Sequence, residues 1–391
     1  MTAPVLMKGN EAMAEAAIQA GCDAYFGYPI TPQAEVLEWM ARRMPELGRT
    51  FIQAESELGA INMALGAGAT GARVFVSSSS PGISLMGEGM SYMAGSEVPM
   101  VLLNVMRGGP GLGSIGASQS DYFQATRGHG HGDYHVPVLA PASIEEAVAL
   151  MADAFEIAER YRTPVMVLAD GVLGQQMEPV VPQYRTPERP DFDWNLTSTG
   201  GTREPRVVRS LHLQPFELEE HNEHLQAKYA DIARNAVRFA TEDLDDADVC
   251  VVGYGTAARV ARTACERARA NGIKAGIFRP ISLWPFPAEQ LRKAAARVSA
   301  ILVVELSAGQ MIEDVRLALE GSRPITFVGR TGGMIPTPSA VTEAIRAAAL
   351  ETQPDYFVPT DQDAATSAPS PKVAESTPDS AAGLFPVELF E

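Results

Sequence analysis

Four short segments of this chain combine residue types that could act on a bound small molecule. In Tyr28-Pro29-Ile30-Thr31-Pro32 two prolines fix φ and hold Ile30 and Thr31 in a stiff bracket able to aim one hydroxyl. Periodicity alone favours a plainer role, an X-Pro stop with Thr31 as a helix cap. In Gln53-Ala54-Glu55-Ser56-Glu57 the last acid precedes a stretch, Leu58 to Gly71, that contains no charge. Acids in a first helical turn are ordinary dipole partners, but a carboxylate heading a buried, uncharged helix is costly without a dedicated partner. Residue chemistry leaves those two readings of Glu57 level. Ser77-Ser78-Ser79-Ser80-Pro81-Gly82 offers hydroxyls before a turn. Arg107 closes the apolar run Met100–Met106 and leads into Gly108-Gly109-Pro110-Gly111. A cation there could grip a carboxylate bidentately, or simply form a surface ion pair.

What must position these residues is an alternation of strands and helices. Short apolar runs predict strands at Asp23–Gly27, Thr50–Gln53, Arg73–Ser77, Pro99–Val105, Val136–Leu139 and Pro164–Leu168. Ala-rich stretches between them predict helices at Asn10–Ala20, Gln33–Arg43, Glu57–Ala69, Ile83–Ala94 and Ile144–Arg160, with Asn10 and Ser143 as N-caps. Such alternation implies an α/β fold with a parallel sheet, and open parallel sheets deliver the loops after their strands to one ligand-binding edge. From Glu178 to Glu220 the pattern breaks into Pro, Arg, Thr and Gly, including Asp191, Asp193, Trp194 and Gly200-Gly201, which reads as a crossover arm. A second α/β unit follows, with a helix near Tyr229–Thr241. Its strands fall at Val249–Val252, Lys274–Phe278, Ala300–Val304 and Pro324–Val328, and a helix at Ala340–Ala349 closes it. The predicted organisation is residues 1–180, an arm at 181–228, a second domain at 229–350 and an acidic, disordered tail at 351–391. The tail ends in an apolar segment, Leu384–Phe390.

Composition narrows the partners. Lys and Arg total 31 against 48 Asp and Glu, a formal charge of −17, so nucleic acid and anionic membrane are poor partners. Cys22, Cys250 and Cys265 form no CxxC pair and cannot ligate an iron–sulfur cluster within this chain. No signal peptide or membrane-length apolar run is evident, and a cytoplasmic setting is expected. Gly111-x-Gly113-x-x-Gly116 has no helix behind it. Gly253-x-Gly255-x-x-Ala258 lies between strand and helix, but no acid follows to bind a ribose, so close packing fits it better than a dinucleotide. The histidines at 129, 131 and 135 sit among glycines, which would make a poorly organised metal site.

Taken together the segments resemble the α subunits of 2-oxoacid:ferredoxin oxidoreductases. The stretches that carry the resemblance include Met7-Lys8-Gly9-Asn10-Glu11-Ala12, Tyr25 to Pro32, Gln53 to Glu57, Ile61 to Ala64 and Ser79 to Gly82. Val105 to Gly113, Phe278 to Pro287 and Val304 to Met311 extend it across Val5 to Ala349. The resemblance implies a thiamine-diphosphate pyrimidine-binding-type domain followed by a transketolase C-terminal-like domain. It assigns Glu57 to the aminopyrimidine of the cofactor and Arg107 and Thr31 to the substrate carboxylate, with Ser80 beside the cofactor. The Gly-Asp-Gly turn that would hold magnesium is missing, the nearest match being Ala169-Asp170-Gly171 without a suitable Asn. The resemblance therefore implies a β subunit carrying the diphosphate site, Mg²⁺ and a 4Fe–4S cluster, with γ and δ ferredoxin-like subunits as further candidates. CoA would be co-substrate and ferredoxin the acceptor. Gln119 to Thr126 and His131 to Tyr134 look most like the branched-chain (2-oxoisovalerate) members, and make His131 a candidate neighbour of the site. A 2-oxoglutarate or aromatic 2-oxoacid member, a pyridine-nucleotide oxidoreductase subunit and a non-catalytic scaffold are the alternatives.

Overall fold

The computed structural model describes residues 4–128, 130–181, 185–189, 192–197, 204 and 206–350. The expected disordered tail with Leu384–Phe390 lies outside the described residues, as do His129, Asp191 and the Gly200-Gly201 pair. The chain opens with β1 (Val5–Lys8) and α1 (Gly9–Gln19), then β2 (Ala24–Gly27), α2 (Ala34–Glu46), β3 (Thr50–Gln53) and α3 (Glu57–Ala69). It continues through β4 (Val74–Ser78), α4 (Ser80–Leu85), α5 (Gly87–Gly95), β5 (Met100–Met106) and α6 (Tyr122–Arg127). Next come β6 (Val138–Leu139), α7 (Ile144–Tyr161), β7 (Pro164–Asp170), α8 (Gly171–Gln175) and β8 (Met177–Val180).

Strands β3, β2, β4, β5, β7 and β6 lie side by side and parallel in that order. All seven residues of β5 and of β7 are buried, as expected of strands covered by helices on both faces. The chain runs from β2 outward to β3 and returns on the other side to β4. That reversal opens a crevice at the carboxyl ends, where the loops bearing Thr31, Glu57, Ser80 and Arg107 emerge.

The remaining elements are α9 (Pro215–Asn235), β9 (Phe239–Glu242), β10 (Val249–Val252), α10 (Gly255–Ala270), β11 (Ala275–Pro280) and β12 (Ser282–Trp284). After them come α11 (Ala288–Ala295), β13 (Ala300–Glu305), α12 (Met311–Leu319), β14 (Ile325–Gly329) and α13 (Pro338–Ala349). A second sheet has the order β14-β13-β10-β11-β9, with only β9 antiparallel. Strand β12 leaves that sheet and pairs antiparallel with β6, extending the first.

Several local expectations are corrected. Asn10 is not an N-cap; Lys8 takes that position, and Asn10 lies buried in the first turn of α1. Ser143 does cap α7, accepting from Glu146 N–H at 3.1 Å. The helix expected over Ile83–Ala94 is two helices meeting at Met86. The helix placed at Tyr229–Thr241 starts fourteen residues earlier, at Pro215, and Phe239–Glu242 is a strand. Only Leu225, Tyr229 and Ile232 of α9 are buried, an apolar stripe too thin to show as periodicity. Strands β1 and β8 are not among those expected from the sequence; they pair with each other outside the main sheets.

Candidate active site

Glu57 is the first residue of α3, and its side chain turns inward, with 4% of the residue exposed. Ser56 precedes it in extended conformation and caps the helix by accepting from Gly59 N–H at 3.1 Å. The carboxylate receives one hydrogen bond, a long one of 3.4 Å from Ser78 Oγ, and has no ion-pair partner among the described residues. Gly82 lies directly against it, for a Cβ there would fall 2.4 Å from Glu57 Oε1. Glu55 is exposed and does not share this setting.

Arg107 is 7% exposed. Its guanidinium donates to the Thr31 carbonyl at 2.9 Å and the Leu112 carbonyl at 3.1 Å, while its buried Nε has no partner among the described residues. Arginine has five N–H donors in a fixed fork, so an anion can be added without dismantling these contacts. Thr31 thus meets Arg107 through its backbone, and its side chain lies at the exposed face of the loop. The cis Thr31–Pro32 segment is further tied down by Asn10 Nδ2 and Gln175 Nε2, each donating to the Pro32 carbonyl at 2.7 Å.

Ser80 is buried, and its hydroxyl is taken up within the protein, 2.6 Å from Asp121 Oδ2 and 3.0 Å from Arg107 N. Within this turn the hydroxyl without a partner among the described residues is that of Ser79, one residue earlier and wholly buried. Beneath the loops, Tyr25 Oη and Ser77 Oγ lie 2.8 Å apart, and Ser77 donates to Gln33 Oε1 at 2.7 Å. Burial first of all pushes the Tyr25 phenol far up, so it stays neutral. The site contacts of Asn10, Gln33 and Asp121 have no local sequence pattern, because each finds its partners far along the chain.

The structure thus brings Glu57, Ser80, Arg107 and the Thr31 backbone to one sheet edge. His131 stands elsewhere: it is exposed, its carbonyl accepts from Ser91 Oγ at 2.6 Å, and it faces a cleft between α5 and α9. No group of acids, histidines and cysteines suited to a metal ion occurs among the described residues.

The equivalent crevice of the second sheet is filled by the chain itself. Asp170 caps α8 by accepting from Val172 N and Leu173 N, both at 3.1 Å, and also receives Thr256 N at 2.9 Å and Thr256 Oγ1 at 2.7 Å. Its carboxylate therefore occupies the N-terminus of α10, where a dinucleotide diphosphate would sit. Gln119 completes the plug, donating to the Tyr254 carbonyl at 2.8 Å and accepting from Leu306 N at 3.0 Å. The pyridine-nucleotide alternative fails on this geometry. Glu305 is likewise structural: it accepts from the backbone N–H groups of Gln310, Met311 and Ile312 at the head of α12. Burial, the largest effect, raises its carboxyl against those bonds.

Comparison with known proteins agrees with this architecture. Residues 15–206 match the thiamine-diphosphate-binding domain of pyruvate flavodoxin/ferredoxin oxidoreductases, and residues 247–341 match core domain II of pyruvate:ferredoxin oxidoreductase. The chain belongs to the 2-oxoacid:ferredoxin oxidoreductase family, as an α-type subunit. Among its relatives, ketoisovalerate oxidoreductase subunit VorB of Methanothermobacter thermautotrophicus is 49% identical over 342 residues, covering 87% of this chain and 97% of the relative. The 2-oxoglutarate synthase subunit KorA of Archaeoglobus fulgidus is 39% identical over 316 residues, 79% of this chain and 90% of that one. A solved 2-oxoglutarate:ferredoxin oxidoreductase from Magnetococcus marinus, with 2-oxoglutarate, coenzyme A and succinyl-CoA bound, superposes with a TM-score of 0.81 at 28% identity. The match covers 89% of this chain and 66% of the Magnetococcus chain, which is thus substantially longer. A split-gene transketolase shares the fold at TM-score 0.57 and 17% identity, covering 89% of this chain and 99% of the other.

Proposed function

We propose that this chain is the α subunit of a CoA-acylating oxidoreductase that converts a branched-chain 2-oxoacid to its acyl-CoA and carbon dioxide, passing the electrons to ferredoxin. The observation that carries the proposal is the buried Glu57 carboxylate, at the head of an uncharged helix, with no cation among the described residues to compensate it. An isolated buried carboxylate is expensive to maintain, and its persistence is explained if a bound group completes its surroundings. The Arg107 Nε and the Ser79 hydroxyl, both without a partner among the described residues, and the side-chain-free surface at Gly82 are features a polar, planar ligand can use. These residues fit the aminopyrimidine side of thiamine diphosphate, a cofactor whose ring carbon acts as a nucleophile toward the oxoacid keto group once deprotonated. In that arrangement Glu57 holds a proton at the pyrimidine ring, and Arg107 and Thr31 orient the substrate carboxylate.

Asp170 supports a shared cofactor. The turn that most resembles a magnesium-holding motif has its carboxylate committed to four protein donors. All three cysteines are free and buried, and burial pushes each thiol up to about 12, so none is a ready ligand for iron. The reading therefore gives the diphosphate, Mg²⁺ and the iron–sulfur cluster to a β subunit, with γ and δ subunits and ferredoxin completing the electron path and CoA taking the acyl group. That the relatives are named as subunits supports such an assembly.

The branched-chain choice rests on identities of 47–49% to two VorB subunits of ketoisovalerate oxidoreductases against 33–39% to the 2-oxoglutarate synthase KorA subunits, while a VorA subunit of a ketoisovalerate oxidoreductase is 28% identical. The test is oxoacid-dependent ferredoxin reduction by the co-purified complex, comparing 3-methyl-2-oxobutanoate with 2-oxoglutarate. Glu57→Gln should abolish turnover with assembly intact, and Arg107→Ala should lower kcat/KM for the oxoacid by at least about a hundredfold. Near-normal turnover in Glu57→Gln would sink the assignment, and a preference for 2-oxoglutarate would overturn the substrate.

A further inference from the structure

Asp121 lies just ahead of α6, 8% exposed, under the junction of the Ser80 turn and Arg107. Its Oδ2 accepts from Ser80 Oγ at 2.6 Å and from Asn104 Nδ2 at 3.0 Å. Asn104 closes a ring by accepting the Ser80 N–H at 3.2 Å through Oδ1. The Ser80 hydroxyl has a single proton. A 2.6 Å approach to a carboxylate draws that proton there, rather than to the Arg107 carbonyl at 3.2 Å. The lone pairs of Ser80 Oγ are then left for the Arg107 N–H, at 3.0 Å. Ser80 also begins α4, two residues before the Gly82 that rests on Glu57. One buried carboxylate thus ties the strand end carrying Arg107 to the turn that abuts Glu57.

Its charge reaches Arg107 as well. The guanidinium bonds to the Thr31 and Leu112 carbonyls rather than to Asp121, so the two charges interact through space. Burial is the larger influence on the Asp121 carboxyl and raises it; Ser80, Asn104 and Arg107 act in the opposite sense. A carboxylate gripped at full strength by Arg107 would resist leaving as neutral carbon dioxide, because that attraction is lost as the reaction proceeds. A second anion close by weakens the grip on the ground state.

We infer that Asp121 is a positioning residue of the oxoacid site, holding the Ser80 turn and Arg107 in register while its charge moderates the affinity of Arg107 for a carboxylate. The inference rests on the assignment of Arg107 to the substrate carboxylate. Its test uses the intact complex, with isovalerate, which has the carboxylate but no keto group, as a competitive inhibitor against 3-methyl-2-oxobutanoate. Asp121→Asn removes the charge and should lower the isovalerate Ki on the order of threefold to tenfold while kcat falls, a split that loss of packing alone does not produce. Ser80→Ala breaks the ring but keeps the charge, and should lower kcat with Ki unchanged. An unchanged or higher Ki in Asp121→Asn overturns the electrostatic role. If that variant does not assemble, a normal kcat in Ser80→Ala overturns the positioning role. Arg107→Ala separates the two levels of failure. If it leaves Ki unchanged, the Arg107 assignment falls and this inference with it; if it raises Ki while Asp121→Asn does not lower it, only the role of Asp121 falls.

Discussion

Substituting alanine for Gly82 is a perturbation of one carbon atom aimed at the Glu57 carboxylate. The new Cβ would lie 2.1 Å from Ser78 Oγ, 2.4 Å from Glu57 Oε1 and 2.8 Å from Glu57 Cδ. Each distance is well inside ordinary contact, by about 1 Å for the carboxylate oxygen. What must give way is the end of two side chains rather than backbone, so the fold should absorb the change at about 1–3 kcal/mol. The carboxylate cannot absorb it in place, for α3 fixes its Cα and the new Cβ also strikes Ser78 Oγ, the donor that holds it. A displacement near 1 Å at a group that must meet a specific cofactor atom costs about a hundredfold in rate. The assay is kcat for oxoacid-dependent ferredoxin reduction by the complex at saturating CoA, with the melting temperature measured alongside. The expected pattern is a modest fall in melting temperature with a rate loss of about two orders of magnitude. A folded variant retaining kcat within about twofold of the parent refutes the placement of Glu57 at the reacting centre.

Gly66, on the same helix, has nothing within 4 Å of the position a Cβ would take, and Gly66→Ala should stabilise the chain by about 0.4–1 kcal/mol in chemical denaturation. A destabilised variant would show that the backbone there needs glycine. Arg73 forms a buried, two-pronged pair with Glu159 at 2.6 and 2.9 Å and also donates to the carbonyls of Ala20, Pro187 and Glu188. Arg73→Ala strands Glu159 in the interior and should cost about 3–5 kcal/mol, read from the denaturant midpoint; a loss below about 1 kcal/mol contradicts the pairing. His135 stacks on Trp284 at 4.5 Å, and burial, followed by the charge of Arg127, lowers its imidazole. The unfolded chain then binds this proton more readily than the folded one, so stability is full above the ordinary histidine value and drops as pH falls through and below about 6.5. Melting temperature should decline on acidification more steeply in the parent than in His135→Phe, and parallel profiles would exclude His135 as a source.

The parts of the site that were legible in sequence announce themselves locally. Glu57 stood out because fourteen uncharged residues follow it, Leu58 to Gly71, and Arg107 because it ends an apolar run that fills a buried strand. The parallel α/β fold followed from the same alternation. What stayed hidden depends on partners far apart in the chain. Asp121 acquires its meaning from Ser80, forty-one positions earlier, and Asn10 from Pro32 and Glu35. The hydroxyl expected to face the cofactor, Ser80, is committed internally, and only the fold reveals that Ser79 is the free one among the described residues. The first half of helix α9 has no sequence signature because its first ten residues, Pro215 to His224, bury nothing fully, leaving no apolar rhythm to read.

Strand β12 has a consequence for anyone cutting the chain. It is contributed from beyond residue 280, yet it covers β6, a strand of only two residues at the margin of the first sheet. A fragment ending near residue 180 would keep every group proposed for catalysis. It would nevertheless expose the unpaired margin of β6 and leave the Asp170 carboxylate without Thr256. Bare sheet margins recruit other chains, so such a fragment is prone to self-association through that strand. The half of this subunit that carries the proposed site residues thus depends on the other half for its solubility.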